Sequence, residues 1–147
     1  MGIIDDVQAA VDWIAAALTS SGYRADLSPS SLWDLERFFA EQAEDGKARP
    51  GGLLSEGLGS RLFALGANLG EVIRRDRGGT WHGDDGDPQA EINVAVDLAD
   101  DKRIWPVQRV MKRFRNGPED NVAHYAALLG VDVATRTTLR MRPPYPG

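Results

Sequence analysis

The residues of this sequence best suited to chemistry lie in its glycine-rich central segment. Glu71 follows Gly70 directly, has arginines three and four residues further on, and lies ten residues before Trp81. A carboxylate beside an aromatic ring in a pocket can act as a general base, which would make the protein a small hydrolase. A carboxylate with arginines at those spacings on a helix can instead form an exposed ion pair. The sequence leaves both interpretations open.

The candidate binding site extends to other polar and small residues of the same region. We expect it where a central helix meets a hairpin, formed by Gly66, Asn68, Gly70, Glu71, Trp81 and Glu91. No residue is assigned a catalytic role and no cofactor is expected, because the sequence contains no recognisable catalytic motif.

Metal binding and imidazole chemistry find little support. The acidic residues 84–87 do not have the spacing of a calcium loop, whose sixth residue is a glycine, since the sixth residue counted from Asp84 is Gln89. His82 and His124 are the only histidines and there is no cysteine, which excludes an HExxH motif and cysteine-bound zinc. The acidic run is therefore expected to be a solvated turn.

A helix is predicted to position the candidate site. The apolar residues recur at spacings of three and four, at Leu58, Leu62, Leu65, Leu69 and Ile73. Three glycines, Gly59, Gly66 and Gly70, share one side of this helix, where they would leave a groove without side chains. Another element of the same chain could fill the groove, or it could receive a ligand, a partner or a second copy of the chain.

The flanking pattern predicts an α+β fold, with helices packed on a small antiparallel sheet or hairpin. Two helices come before the Gly-lined central helix, strands are expected at residues 80–82 and 91–98, and two further helices begin at Pro106 and Pro118. We expect residues 1–135 to form a single domain and residues 136–147 a flexible extension. Residues 44–52 are predicted to be a loop, whose role the sequence leaves open together with that of the extension.

Composition and charge bear on location and partners. The chain carries a formal charge of -5, which disfavours broad nucleic-acid binding. Its first segment is an amphipathic helix with Asp5 and Asp6 rather than a membrane span or a basic signal sequence, and a cytoplasmic location is expected. Residues 84–101 hold seven acids and no base, and residues 102–115 hold six bases and no acid. Such blocks can dock a protein partner, or they can dock on each other.

Three motifs carry a resemblance to a known group. They are LGANLGEVI at residues 65–73, GTW at residues 79–81, and WP at residues 105–106 followed by NG at residues 116–117. Together they resemble the bacterial domains of unknown function represented by DUF3806, over about residues 54–130. The resemblance implies no activity, but similar small domains occur among immunity proteins that neutralise bacterial toxins.

The leading hypothesis is therefore a non-enzymatic cytoplasmic protein-binding module, of an immunity-like kind. The alternatives are a small hydrolase that uses Glu71 near Trp81, and a structural or oligomerising domain in which the glycine groove holds a second copy.

Overall fold

The computed structural model describes residues 2–133, so the predicted extension at residues 136–147 lies outside the described residues. Six α-helices are present in the described part, besides three short 3-10 turns: α1 (Ile3–Ser20), α2 (Leu32–Gln42), α3 (Leu58–Arg77), α4 (Ala90–Asn93), α5 (Pro106–Asn116) and α6 (Val122–Leu128). Five short strands accompany them, namely β1 (Ala43–Glu44), β2 (Lys47–Ala48), β3 (Gly79–His82), β4 (Ala95–Leu98) and β5 (Arg103–Ile104). The predicted α+β fold is confirmed.

Helix α3 is the centre of the fold. Its side chains from Leu62 to Ile73 are all buried, because α1 and α5 pack against it and the β3–β4–β5 sheet covers part of the rest. A helix that is enclosed in this way is apolar on more than one side, which explains the continuous run of small and aliphatic residues in its middle. It begins after Gly57, whose φ is 59°, and ends at Gly78, whose φ is 77°.

The three-stranded sheet is antiparallel throughout. Strand β4 lies in its middle, with Trp81 of β3 opposite Val96 and Ile104 of β5 opposite the same residue. The smaller β1–β2 ladder, at residues 43–48, overlaps the segment 44–52 for which a loop is predicted. Asp45 and Gly46 form its tip with φ values of 54° and 75°, as a tight two-residue hairpin turn requires.

The prediction of a strand over residues 91–98 was wrong for its first half. Residues 90–93 form the single turn α4, and only residues 95–98 pair as a strand. Asp87 accounts for the difference: one carboxylate oxygen accepts the Gln89 N–H at 2.8 Å and the other accepts the Asn93 amide at 2.9 Å. Such local bonds offer the backbone an alternative to a sheet ladder.

A buried ion pair joins the helices on the other side of the core. Arg113 of α5 is 2 % exposed, and its Nη2 lies 2.7 Å from Glu36 Oε2 of α2. The other carboxylate oxygen of Glu36 accepts the Val122 N–H at the start of α6, at 3.1 Å. One carboxylate therefore links three helices.

Candidate functional site

The predicted site residue Glu71 is the centre of a closed polar cluster. Its side chain is 2 % exposed. Arg74 donates from Nε and Nη2 to the two carboxylate oxygens at 2.9 and 2.7 Å, and Arg75 donates from Nε at 2.8 Å. The Trp81 indole N–H donates to Oε1 at 2.9 Å. The carboxylate thus receives four hydrogen bonds, three of which come from cations.

This environment makes Glu71 a weak base. Burial alone would raise the pKa of the carboxyl, but the hydrogen bonds from Arg74, Arg75 and Trp81 outweigh burial and lower the pKa to about 2. A general base works best with a pKa near the working pH. Neither of the two depressions described below includes Glu71 in its lining. The geometry therefore favours a structural role for this carboxylate over the hydrolase interpretation.

The glycine groove is filled by the chain itself. A Cβ built at Gly66 would lie 2.5 Å from Val107 Cα, and one built at Gly70 would overlap the Trp81 ring and lie 2.7 Å from Pro106 Cγ. Helix α5 and strand β3 therefore occupy the groove at Gly66 and Gly70, which leaves no room for a ligand or a second copy at these two glycines. At the third glycine, Gly59, a Cβ would meet nothing within 4 Å.

The remaining predicted site residues do not join Glu71. Asn68 is buried on α3 and its Nδ2 has no hydrogen-bond partner in the described residues, but it is not among the contacts of Glu71. Glu91 is exposed on α4 and lines a separate depression. The expectation that Glu91 shares a pocket with Glu71 was wrong, because the turn at α4 removes residue 91 from the strand that was to carry it.

That separate depression, of about 420 Å³, is bordered by four carboxylates. They are Asp6 of α1, Asp85 and Asp87 of the turn after β3, and Glu91 of α4; we call this surface the acidic depression. No basic residue lines it, and none of its four carboxylates forms an ion pair with a cation in residues 2–133. The hydrogen bond from Asn93 lowers the pKa of Asp87, so this group stays charged at neutral pH.

The turn that carries Asp85 has a structural task as well. Asp85 Oδ1 accepts the Ile3 N–H at the start of α1, at 2.7 Å. Gly2, the residue before the helix, has no side chain to cap it, and Asp85 supplies the acceptor from elsewhere in the chain. This contact holds Asp85 close to α1. No local pattern in the sequence predicts this contact, since the two residues are 82 positions apart.

A second cleft, of about 1010 Å³, lies between the β1–β2 hairpin and the end of α5. Its lining mixes signs: the acids are Glu41, Glu44 and Asp45, and the bases are Lys47, Arg49, Arg113 and Arg115. This cleft is larger than the acidic depression, but its charges do not select one class of ligand. The segment 44–52 forms one wall of it.

The basic block is largely paired within the fold. Arg103 Nη2 lies 2.9 Å from Asp97 Oδ2, Arg109 lies 3.5 Å from Asp120, and Arg113 binds Glu36. Across the described chain, only Lys112 and Arg115 of this block lack an ion pair. Most basic side chains of residues 102–115 are therefore already in ion pairs, whereas the carboxylates of the acidic depression have no cationic partner in residues 2–133.

Residues 2–133 contain no counterpart to the other classes of site. Among residues 2–133, no group of three or more histidine or carboxylate side chains is arranged to hold a metal ion. No helix in that part of the chain is both long and apolar enough to cross a bilayer. His82 and His124 are both exposed.

Comparisons with known proteins add no information about the site. No protein-family model, curated protein or solved structure matches this chain.

Proposed function

We propose that the protein is a non-enzymatic binding module whose acidic depression binds a basic protein partner. The observation that carries this proposal is the group of four carboxylates, Asp6, Asp85, Asp87 and Glu91, around one depression without a paired cation. Like charges that line one depression favour a cationic partner and steer its approach. The basic residues of segment 102–115 do not form a matching surface for an acidic partner, because most of them form ion pairs with acids of their own chain.

The cytoplasm is the proposed location, because a chain without cysteine suits a reducing compartment. The resemblance to small bacterial domains supports the proposed protein-binding function. Immunity proteins, among which similar domains occur, act by binding and need no catalytic residue. Glu71 is not part of the proposal, because its oxygens are already engaged by Arg74, Arg75 and Trp81.

The test compares two charge-matched variants in affinity capture. Asp6→Asn/Glu91→Gln removes two charges from the acidic depression without breaking any hydrogen bond that these side chains make in the described structure. Asp12→Asn/Glu119→Gln removes two exposed charges elsewhere. At about 50 mM salt the tagged protein should retain a basic partner that is released at about 500 mM.

The partner should be lost from the Asp6→Asn/Glu91→Gln variant and kept by the Asp12→Asn/Glu119→Gln control. Equal retention by both variants would reject the acidic depression as the binding surface. Failure of the unaltered protein to retain any partner at low salt would count against the binding function itself.

A further inference from the structure

The acidic depression continues along α1 to an exposed tryptophan. Asp6 and Trp13 are seven residues apart, which places them two turns apart on the same face of the helix, about 10 Å along its axis. Only alanines, Ala9 and Ala10, occupy the intervening turn on that face. No side chain of α1 larger than alanine therefore stands between Asp6 and the indole on that face.

Trp13 is exposed to an unusual degree for its size. Its side chain is 47 % exposed, although a tryptophan normally buries most of its area. The Arg61 guanidinium of α3 lies 5.6 Å from the ring centroid and also donates to the Leu53 carbonyl. Arg61 thus supports the ring from the α3 side and leaves the rest of it open. Tryptophans in such positions are over-represented among residues that dominate protein interfaces.

We propose that this face of α1 binds a cationic amphipathic helix of the partner, with a basic side chain in the acidic depression and an apolar side chain packed on Trp13. This inference rests on the proposed function and specifies the partner. The charge of the depression selects a basic segment, and the spacing of about 10 Å equals seven residues of a partner helix. The alanines allow that helix to approach α1 closely.

The test uses two synthetic helical peptides of identical composition. In the matched peptide an arginine and a leucine lie seven residues apart on one face; in the permuted peptide the leucine is moved to the opposite face. Binding of fluorescein-labelled peptide is measured by anisotropy. The unaltered protein should bind the matched peptide at least about tenfold more tightly than the permuted one, which is the size of effect that a central aromatic contact supplies.

Trp13→Ala should weaken binding of the matched peptide about tenfold, while Trp13→Phe should weaken it much less because the ring is kept. Trp105→Ala is the matched control, since Trp105 is 44 % exposed but lies before α5; its affinity should stay within about twofold of the unaltered protein. Circular dichroism verifies that each variant is folded.

Three results would overturn the inference. They are equal binding of both peptides, equal effects of Trp13→Ala and Trp105→Ala, and no binding of either peptide. If Asp6→Asn/Glu91→Gln weakens peptide binding but Trp13→Ala does not, the role of Trp13 is rejected and the proposed function of the acidic depression stands. Loss of partner capture, measured separately, is what would reject that function.

Discussion

At the scale of single residues, Glu71 shows how a side chain with catalytic potential becomes structural. A carboxylate beside a tryptophan suits a general base. The spacing from Glu71 to the arginines is the same whether their ion pair is exposed or buried. Burial decides between these roles: at 2 % exposure, a carboxylate needs its charge satisfied, and Arg74, Arg75 and Trp81 satisfy it. Sequence periodicity alone does not predict these hydrogen bonds to Glu71, because the bond from Trp81 depends on how β3 packs against α3.

The pKa of Glu71 predicts a pH-dependent contribution to stability. The folded pKa of about 2 lies below the usual 4.5, so the charged carboxylate stabilises the fold fully above pH 4.5, and this contribution is lost as the pH falls toward 2. Glu71→Gln should lower the free energy of unfolding by on the order of 3 kcal/mol at pH 7. Urea titrations at pH 7, 4 and 3 measure the difference, which should shrink at the lower values.

Glu91→Gln is the control for that series, because Glu91 is exposed on α4. Its free energy of unfolding should remain within about 0.5 kcal/mol of the unaltered protein at each pH. A Glu71→Gln defect of the same size at pH 3 as at pH 7 would show that the lost stability is not electrostatic.

At the scale of helices and strands, the glycines of α3 divide into two kinds. Gly66 lies against the backbone of Val107, which cannot rotate away, so Gly66→Ala should destabilise the protein by about 2–3 kcal/mol through overpacking. Gly59 faces open space on the same helix, so Gly59→Ala should stabilise it by about 0.5 kcal/mol. Urea unfolding followed by circular dichroism distinguishes the two. Equal effects of both substitutions would argue against close packing of α5 on α3.

Most elements of the fold follow from the local sequence pattern, and the exceptions are β5 and α4. Apolar spacing predicts α3, and the flanking pattern predicts two helices before it and one from Pro106, which are α1, α2 and α5. The two-residue strand β5 is too short to show a period, and α4 replaces the expected strand because Asp87 binds Asn93.

The candidate site was only partly predictable, because part of it joins residues that are far apart in the sequence. Glu71, Gly70 and Trp81 do meet, since they lie on adjoining elements. The acidic depression could not be foreseen as a unit, because it joins Asp6 of α1 to residues of a turn about eighty positions later. Charge counting along the chain identified the acidic block but not the helix that completes it.

At the scale of the whole molecule, one hydrophobic cluster runs through the described chain. It includes residues from Ile3 of α1 to Val133 after α6, and α3 contacts α1, α5 and the sheet at once. An element so placed cannot open without exposing the packing faces of its neighbours. We therefore expect the amides in the middle of α3 to exchange most slowly with solvent, with an opening free energy equal to that of global unfolding.

This arrangement also predicts a single cooperative unfolding transition. Trp81 packs on α3 at Gly70, and in a variant whose other three tryptophans are replaced by phenylalanine its fluorescence reports on the sheet, while circular dichroism reports on the helices. The two probes should give the same midpoint and the same dependence on urea, because the sheet and the helices share one core. Gly66→Ala should move both midpoints together. A fluorescence transition that precedes the loss of helix would mean that the β3–β4–β5 sheet detaches as a separate unit, and that the junction of α3 with β3 is not what holds the two layers together.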